Sequence, residues 1–188
     1  MKNIIYTIII SLCFGVNSQA QLKSYGSFNT YTSIGVFGGA GIPLGDFGKY
    51  KTSGYGGYVD MSFGLTPLSS ITLSLGSTTW NIHQTYNYGT FNYSAESKEG
   101  INLVLTGVKI YMNYDPLLKY YGLFEMGFGV GTGFAFAGGG GAEYFISKKF
   151  SVDLNARLLY GLVAYDDENH PFFITIMAGI KYNIELRK

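Results

Sequence analysis

The sequence predicts an all-β fold, an eight-stranded antiparallel up-and-down transmembrane β-barrel, on three observations. Eight segments of strand length, separated by turn signals, alternate apolar with polar residues. Charged residues make up 13% of the chain and aromatic residues 17%, whereas a soluble domain is roughly a quarter charged. After the first residues, no run of about 18 apolar residues is available to cross a bilayer as a helix. A strand has a side-chain period of two, so each alternating segment carries one apolar and one polar face. A surface that avoids charge avoids water, and without spanning helices only a closed barrel pairs every backbone group inside a bilayer.

Residues 1–20 read as a secretory signal peptide. Lys2 supplies the charged start, Ile4 to Val16 the apolar run, and Ser18, Gln19 and Ala20 the cleavage site. That run is shorter than the roughly 20 residues a spanning helix needs, and no stop-transfer charges follow. Cys13, the single cysteine, lies within it, and Leu12 stands where a lipoprotein site needs a small residue. The mature chain, expected to begin near Gln21, therefore has no thiol, which excludes disulfides, a cysteine nucleophile and a thiolate metal site. Formal charge is +1 and falls to about zero without Lys2, so nothing on the surface attracts nucleic acid.

Residues 21–32 form a short polar lead-in, and residues 33–188 the barrel domain. The strands are expected at about 33–42, 54–65, 71–82, 101–113, 121–132, 139–147, 150–162 and 172–184. In the second, Val59, Met61, Phe63 and Leu65 oppose Tyr58, Asp60, Ser62 and Gly64. In the fifth, Phe124, Met126, Phe128 and Val130 oppose Glu125, Gly127, Gly129 and Gly131. The seventh alternates most clearly, with Phe150, Val152, Leu154, Ala156, Leu158, Tyr160 and Leu162 against Ser151, Asp153, Asn155 and Arg157. In the eighth, Ile174, Ile176, Ala178, Ile180 and Tyr182 oppose Thr175, Gly179, Lys181 and Asn183. An even strand number puts both termini on one side.

Turns at 66–70, 114–120 and 148–149 are short, and the polar connections 43–53, 83–100 and 164–171 are longer. Short turns belong on the periplasmic side of such barrels and long loops outside. Segment 133–138 is expected to be a tight outer loop. Trp80, Tyr86, Tyr88, Phe91 and Tyr93 fall near the outer rim and Tyr114, Tyr120, Tyr121 and Tyr182 at the other end, the pattern of two aromatic girdles, although parity turns Trp80 inward.

Every strand charge falls on the less apolar face, giving an inward set of Asp60, Lys109, Glu125, Glu143, Asp153, Arg157 and Lys181. On sequential strands, Lys109, Glu125, Glu143, Arg157 and Lys181 are expected to alternate in a belt, because unpaired buried charge costs several kcal/mol. The belt reads as a structural plug or as a polar path for solutes, and an eight-stranded interior is just wide enough for side chains to fill, which favours the plug. The glycines at 127, 129, 131 and 133 are expected to leave room for bulky partners such as Phe37, Tyr58 or Phe145. Gly129-Val-Gly131-Thr-Gly133 lacks the strand-turn-helix context of a dinucleotide loop.

His83 and His170 are the candidates for lipid-modifying catalysis. His83 is followed by Gln84-Thr85-Tyr86 and His170 by Pro171, so neither has the His-x-Ser-Asn partner of the lipid A deacylase barrels, and both read as solvated loop residues. Asp166-Asp167-Glu168 beside His170 offers oxygen ligands to a divalent cation, but such a run reads first as a solvated loop. No catalytic residue, metal site or cofactor is assigned.

Gly35-Val-Phe-Gly-Gly-Ala-Gly-Ile-Pro-Leu-Gly-Asp-Phe47, the strand start Gly54-Tyr-Gly-Gly-Tyr58 and the closing Gly179-Ile-Lys-Tyr-Asn-Ile184 resemble the small bacterial outer-membrane β-barrel superfamily. The resemblance covers nearly the whole mature chain and is to barrels common in Bacteroidetes-type bacteria and similar to OmpX, OmpA and OmpW. It implies a place in the bacterial outer membrane among lipid and lipopolysaccharide. Gly179, Tyr182 and Ile184 match the insertion signal read by the barrel-assembly machinery. The chain departs from that pattern with Met177 where a polar residue is usual, and by continuing through Glu185-Leu-Arg-Lys188. The superfamily's roles include anchoring, adhesion, solute passage and assembly with a protein partner in the membrane. The expectation is a non-enzymatic barrel with a charge-plugged lumen and a structural, adhesive or complex-forming role carried by its loops. The alternatives are a narrow channel or lateral-exit path for small solutes, and a lipid-modifying enzyme.

Overall fold

The computed structural model describes residues 31–49, 51–88, 91–115, 117–130, 132–162 and 170–185, with the backbone alone at 31, 83–88, 91–95 and 185. Residues 1–30, including the expected signal peptide, and the acidic run 166–168 lie outside the described residues.

The eight strands are β1 (Tyr31–Pro43), β2 (Gly54–Thr66), β3 (Ser69–Tyr88), β4 (Phe91–Tyr111), β5 (Leu118–Val130), β6 (Gly133–Phe145), β7 (Phe150–Gly161) and β8 (Phe172–Glu185). Each pairs antiparallel with the next, and β1 pairs β8 from Tyr31 opposite Glu185 to Pro43 opposite Phe173, which closes the barrel. Alternation sets the faces. Along β7, Ser151, Asp153, Asn155, Arg157 and Leu159 are buried, while Val152, Leu154, Leu158 and Tyr160 are exposed. Val59, Phe63, Phe124, Phe128, Ile176 and Ile180 are likewise exposed on the outer wall. Such a continuous apolar exterior is unsuited to water and fits hydrocarbon.

Three features differ from the sequence reading. β6 begins at Gly133, so segment 133–138 is strand and the connection is tighter; Gly133 takes a φ of +57°, a turn conformation open to glycine. Ala135 and Ala137 then face in, and Phe134 and Phe136 are half-exposed.

The expected loop 83–100 is largely a ribbon, in which β3 and β4 stay in register from Ser69 opposite Ile110 to Tyr88 opposite Phe91. Tyr86, Tyr88, Phe91 and Tyr93 favour extended backbone.

The glycines that admit large side chains are also different ones. A methyl group at Gly76 would overlap the Tyr58 ring, and one at Gly35 or Gly179 would overlap Phe37. Gly127 and Gly129 instead lie against β4, at the Val104 carbonyl and Leu103.

Candidate functional site

Concave, chemically distinctive surface lies inside the barrel, in layers. β7 runs from the end with the short turns, at Phe150, to the end with the long loops, at Gly161. Residues of β7 and their register partners therefore give the depth of each layer.

Nearest the short turns is a network built on Lys181, Glu143 and Asp153. Lys181 Nζ lies 2.8 Å from Glu143 Oε2 and 3.0 Å from Asp153 Oδ2, and Lys109 Nζ lies 3.6 Å from Asp153 Oδ2. Tyr111 and Ser151 donate to Glu143 at 3.0 and 2.7 Å, and Tyr121 donates to Asp153 at 2.6 Å. Lys109 Nζ stands 4.0 Å from the Tyr121 ring centroid, where the ring face stabilises the ammonium. Two lysines meet two carboxylates, so this group is neutral.

Four residues further along β7, Arg157 spans the interior to reach Asp60 on β2 and lies 3.1 Å from Glu125 on β5. Thr72 and Ser74 donate to the other Glu125 oxygen at 2.9 and 2.6 Å, and Arg157 also donates to Ser74 and Asn155. Here two carboxylates share one guanidinium, whose planar fork can serve both.

All seven charged residues named from the sequence are buried. They form two stacked ionic groups in place of the expected alternating belt, joined by Asn155, which accepts from Arg157 at 3.3 Å and donates to Asp153 at 3.2 Å. The side chains are long enough to cross the lumen, so Arg157 pairs with a strand that is not its neighbour.

Beyond Arg157 the interior turns apolar. Leu105, Leu159, Ile101, Leu103, Phe173 and Trp80 are each no more than 2% exposed, and Met177, opposite Asn155, extends this cluster down between the ionic groups. Trp80 packs at 4.8 Å from Phe173 and 5.4 Å from Phe47, both edge-on. Phe47 belongs to a 3₁₀ turn, Gly45–Gly48, in the β1–β2 connection, and Leu44 N–H donates to the Phe172 carbonyl at 2.8 Å. Lys51 lies 3.9 Å from the Phe47 centroid and 3.1 Å from Glu99. Trp80 is thus an interior residue and not part of a rim girdle. Tyr121 also points inward, while Tyr114, Tyr120, Tyr144, Phe150 and Tyr182 are exposed around the short-turn end.

Of the insertion-signal residues, Tyr182 and Ile184 face outward and Gly179 lies beneath Phe37. His170 is exposed with its ring 5.7 Å from that of Tyr160; the side chain of His83 lies outside the described residues. Among the described residues, no three His, Cys, Asp or Glu side chains gather as metal ligands would.

Sequence reasoning missed Tyr111, Tyr121, Lys119 and Phe47. For Tyr121 and Lys119 the signal was present, since both share the parity of Glu125. Phe47 sits in a connection, where parity says nothing.

No protein-family model matches this chain, and no curated protein does. Solved structures do. The attachment invasion locus protein of Yersinia pestis is 16% identical with a TM-score of 0.55, the match covering 84% of this chain and all of that one. Neisserial surface protein A is 10% identical with a TM-score of 0.55, over 85% of this chain and all of that one. A de novo designed transmembrane β-barrel is 13% identical with a TM-score of 0.53, over 85% and 100%. The likeness is one of fold. An outer-membrane location agrees with that fold and with the apolar outer wall.

Proposed function

We propose that this chain is an integral outer-membrane protein without enzymatic activity, whose lumen passes no solute and whose long-loop end carries recognition. The observation supporting the closed lumen is its layering, in which ion pairs spanning the barrel lie under a packed aromatic and aliphatic layer. In planar bilayers the purified barrel is expected to show no conductance steps. A persistent conductance that shifts in Glu125→Gln or Arg157→Gln would overturn this reading in favour of the narrow channel.

Recognition is assigned to the β3–β4 ribbon. β2 pairs with β3 as far as Thr79, and β5 with β4 as far as Asn102. At the base of the ribbon, an isolated bridge joins Lys51 to Ile82, Thr52 N–H donates to the Asn81 carbonyl at 3.0 Å, and Lys51 pairs with Glu99 at 3.1 Å. Further out the two strands pair with each other to Tyr88 and Phe91. Beyond these contacts the ribbon edges have no neighbouring strand among the described residues, and such edges present backbone donors and acceptors to an added strand. With short turns and termini in the periplasm, the ribbon faces the exterior. The attachment invasion locus protein is by its name an attachment factor, and an adhesive or complex-forming role is the reading carried to this chain. Shortening the ribbon by removing residues 84–95 is expected to abolish surface attachment or complex formation while leaving heat-modifiable migration intact. Unchanged attachment and complex formation would sink the assignment.

A further inference from the structure

At the short-turn end the lumen opens into a cavity of about 490 Å³, within the range that holds small-molecule ligands. Register builds one wall from small polar side chains. Asn183 of β8 lies opposite Ser33 of β1, and Ser33 opposite Ser62 of β2, with Ser70 on the next strand. Ser62 and Ser70 are each 4% exposed, and neither hydroxyl has a hydrogen-bond partner among the described residues. A buried hydroxyl without a partner is unfavourable, so the wall is better suited to something that accepts from it.

Half-way round the barrel the facing wall carries Lys119. Its Nζ stands 5.2 Å from the ring centroids of both Tyr111 and Phe145. The other lumen cations, Lys109, Arg157 and Lys181, each hold a carboxylate; Lys119 makes no ion pair among the described residues. Glu143, opposite Lys119 in register, also lines the cavity, but its carboxylate is engaged by Lys181 at 2.8 Å and by the Tyr111 and Ser151 hydroxyls, and it makes no ion pair with Lys119. Lys148 stands at the mouth. The charge left facing the space is therefore positive.

We propose that this vestibule binds a small anionic molecule through a carboxylate or phosphate group, with Lys119 as counter-charge and the Ser62 and Ser70 hydroxyls as donors. The Tyr111 and Phe145 rings flank the Lys119 ammonium at the cavity wall, their centroids each 5.2 Å from Nζ. Hydroxyls alone would serve a neutral sugar equally well; the unpaired cation selects an anion. The site is independent of whether the lumen conducts.

The test is calorimetric titration of the folded full-length mature barrel in detergent with inorganic phosphate, succinate and glucose. Saturable binding of phosphate or succinate is expected, with the stronger of the two naming the anion class and glucose silent. Lys119→Gln should weaken binding roughly tenfold or more, the effect of one charge-assisted hydrogen bond. Ser62→Ala with Ser70→Ala should weaken it several-fold, and Lys49→Gln at the opposite end, in the β1–β2 connection, should leave it unchanged. Binding that Lys119→Gln leaves untouched, glucose binding as strong as the anions', or no anion binding to a barrel that migrates as folded would each overturn the proposal. Should Lys119→Gln fail to fold, the serine double variant and Lys119→Arg decide, since Lys119→Arg keeps the charge and must retain binding.

Discussion

The two halves of the lumen fill the same eight-stranded wall by opposite means. Toward the short turns, three cations and four carboxylates are held by each other and by Tyr, Ser and Thr hydroxyls. Toward the long loops, Trp80, Phe47, Phe173 and aliphatic side chains pack without a charge among them. A barrel this narrow must be filled by side chains in either case. Ionic filling depends on matched partners and tolerates changes of shape poorly only when a charge is orphaned; apolar filling depends on volume. Each half should therefore fail under a different kind of substitution.

The largest effect is expected from Arg157→Gln. It leaves Asp60 and Glu125 buried without their cation, and removing one member of a buried ionic group costs about 3–5 kcal/mol. Urea unfolding in lipid vesicles, followed by heat-modifiable migration, reads the loss. Replacing the whole group, as Asp60→Leu, Glu125→Met and Arg157→Met together, should recover most of it, because apolar residues of similar volume often match a buried ion pair. If the triple variant were as unstable as Arg157→Gln, the ionic half would be specified by more than pairing.

Trp80→Ala comes next, at about 3 kcal/mol, the low end for loss of a large aromatic from a core because Phe47 and Phe173 can close part of the space. Salt should leave this loss unchanged. A substitution that keeps volume, Met177→Leu, should cost less than about 1.5 kcal/mol. A large loss from Met177→Leu would mean that shape, and not volume, governs the apolar half.

The contrast between the halves also explains what the sequence made legible. Strand count, faces and the seven inward charges follow from a period of two, which a half-buried strand imposes on every residue. Pairing does not follow, because register between strands and the reach of Arg157 to β2 are three-dimensional facts that no single segment encodes. The apolar half was harder to see for a related reason. Trp80, Phe173 and Met177 are inward by parity, yet large apolar residues read as lipid-facing in a membrane barrel, so an apolar interior imitates an exterior. Phe47 lies outside any alternating segment, and its place in the mouth depends on the turn at Gly45, whose φ is +58°. The ribbon was hidden because its Asn, Ser and Glu residues read as loop while its aromatic residues held it extended.

A smaller effect sharpens the boundary of the apolar half. Lys51→Ala removes the contact with the Phe47 ring and the ion pair with Glu99. Each such interaction at a partly exposed site is worth about 0.5–1 kcal/mol. Faster amide exchange confined to residues 44–49 is the expected readout. Exchange spreading into β7 or β8 would show that the Phe47 turn supports the wall itself.

The smallest effect lies outside both halves and serves as their reference, because it concerns a charge in water. Asp115, in the β4–β5 turn, is exposed and accepts the backbone N–H groups of Leu117 at 2.7 Å and Leu118 at 3.1 Å. These bonds favour the ionised carboxylate and lower its pKa below the usual value, against a slight opposing desolvation. A lowered folded pKa means that the stabilisation is fully present above the ordinary carboxylate value of about 3.9 and is lost as pH falls through the lower folded value. Protection of the Leu117 and Leu118 amides, corrected for intrinsic exchange, should therefore decline below about pH 4. In Asp115→Asn the side-chain oxygen remains an acceptor, so protection should be lower but flat with pH. A decline that persists in Asp115→Asn would assign the acid sensitivity to the buried carboxylates of the ionic half, and would join the turn's behaviour to that of the lumen.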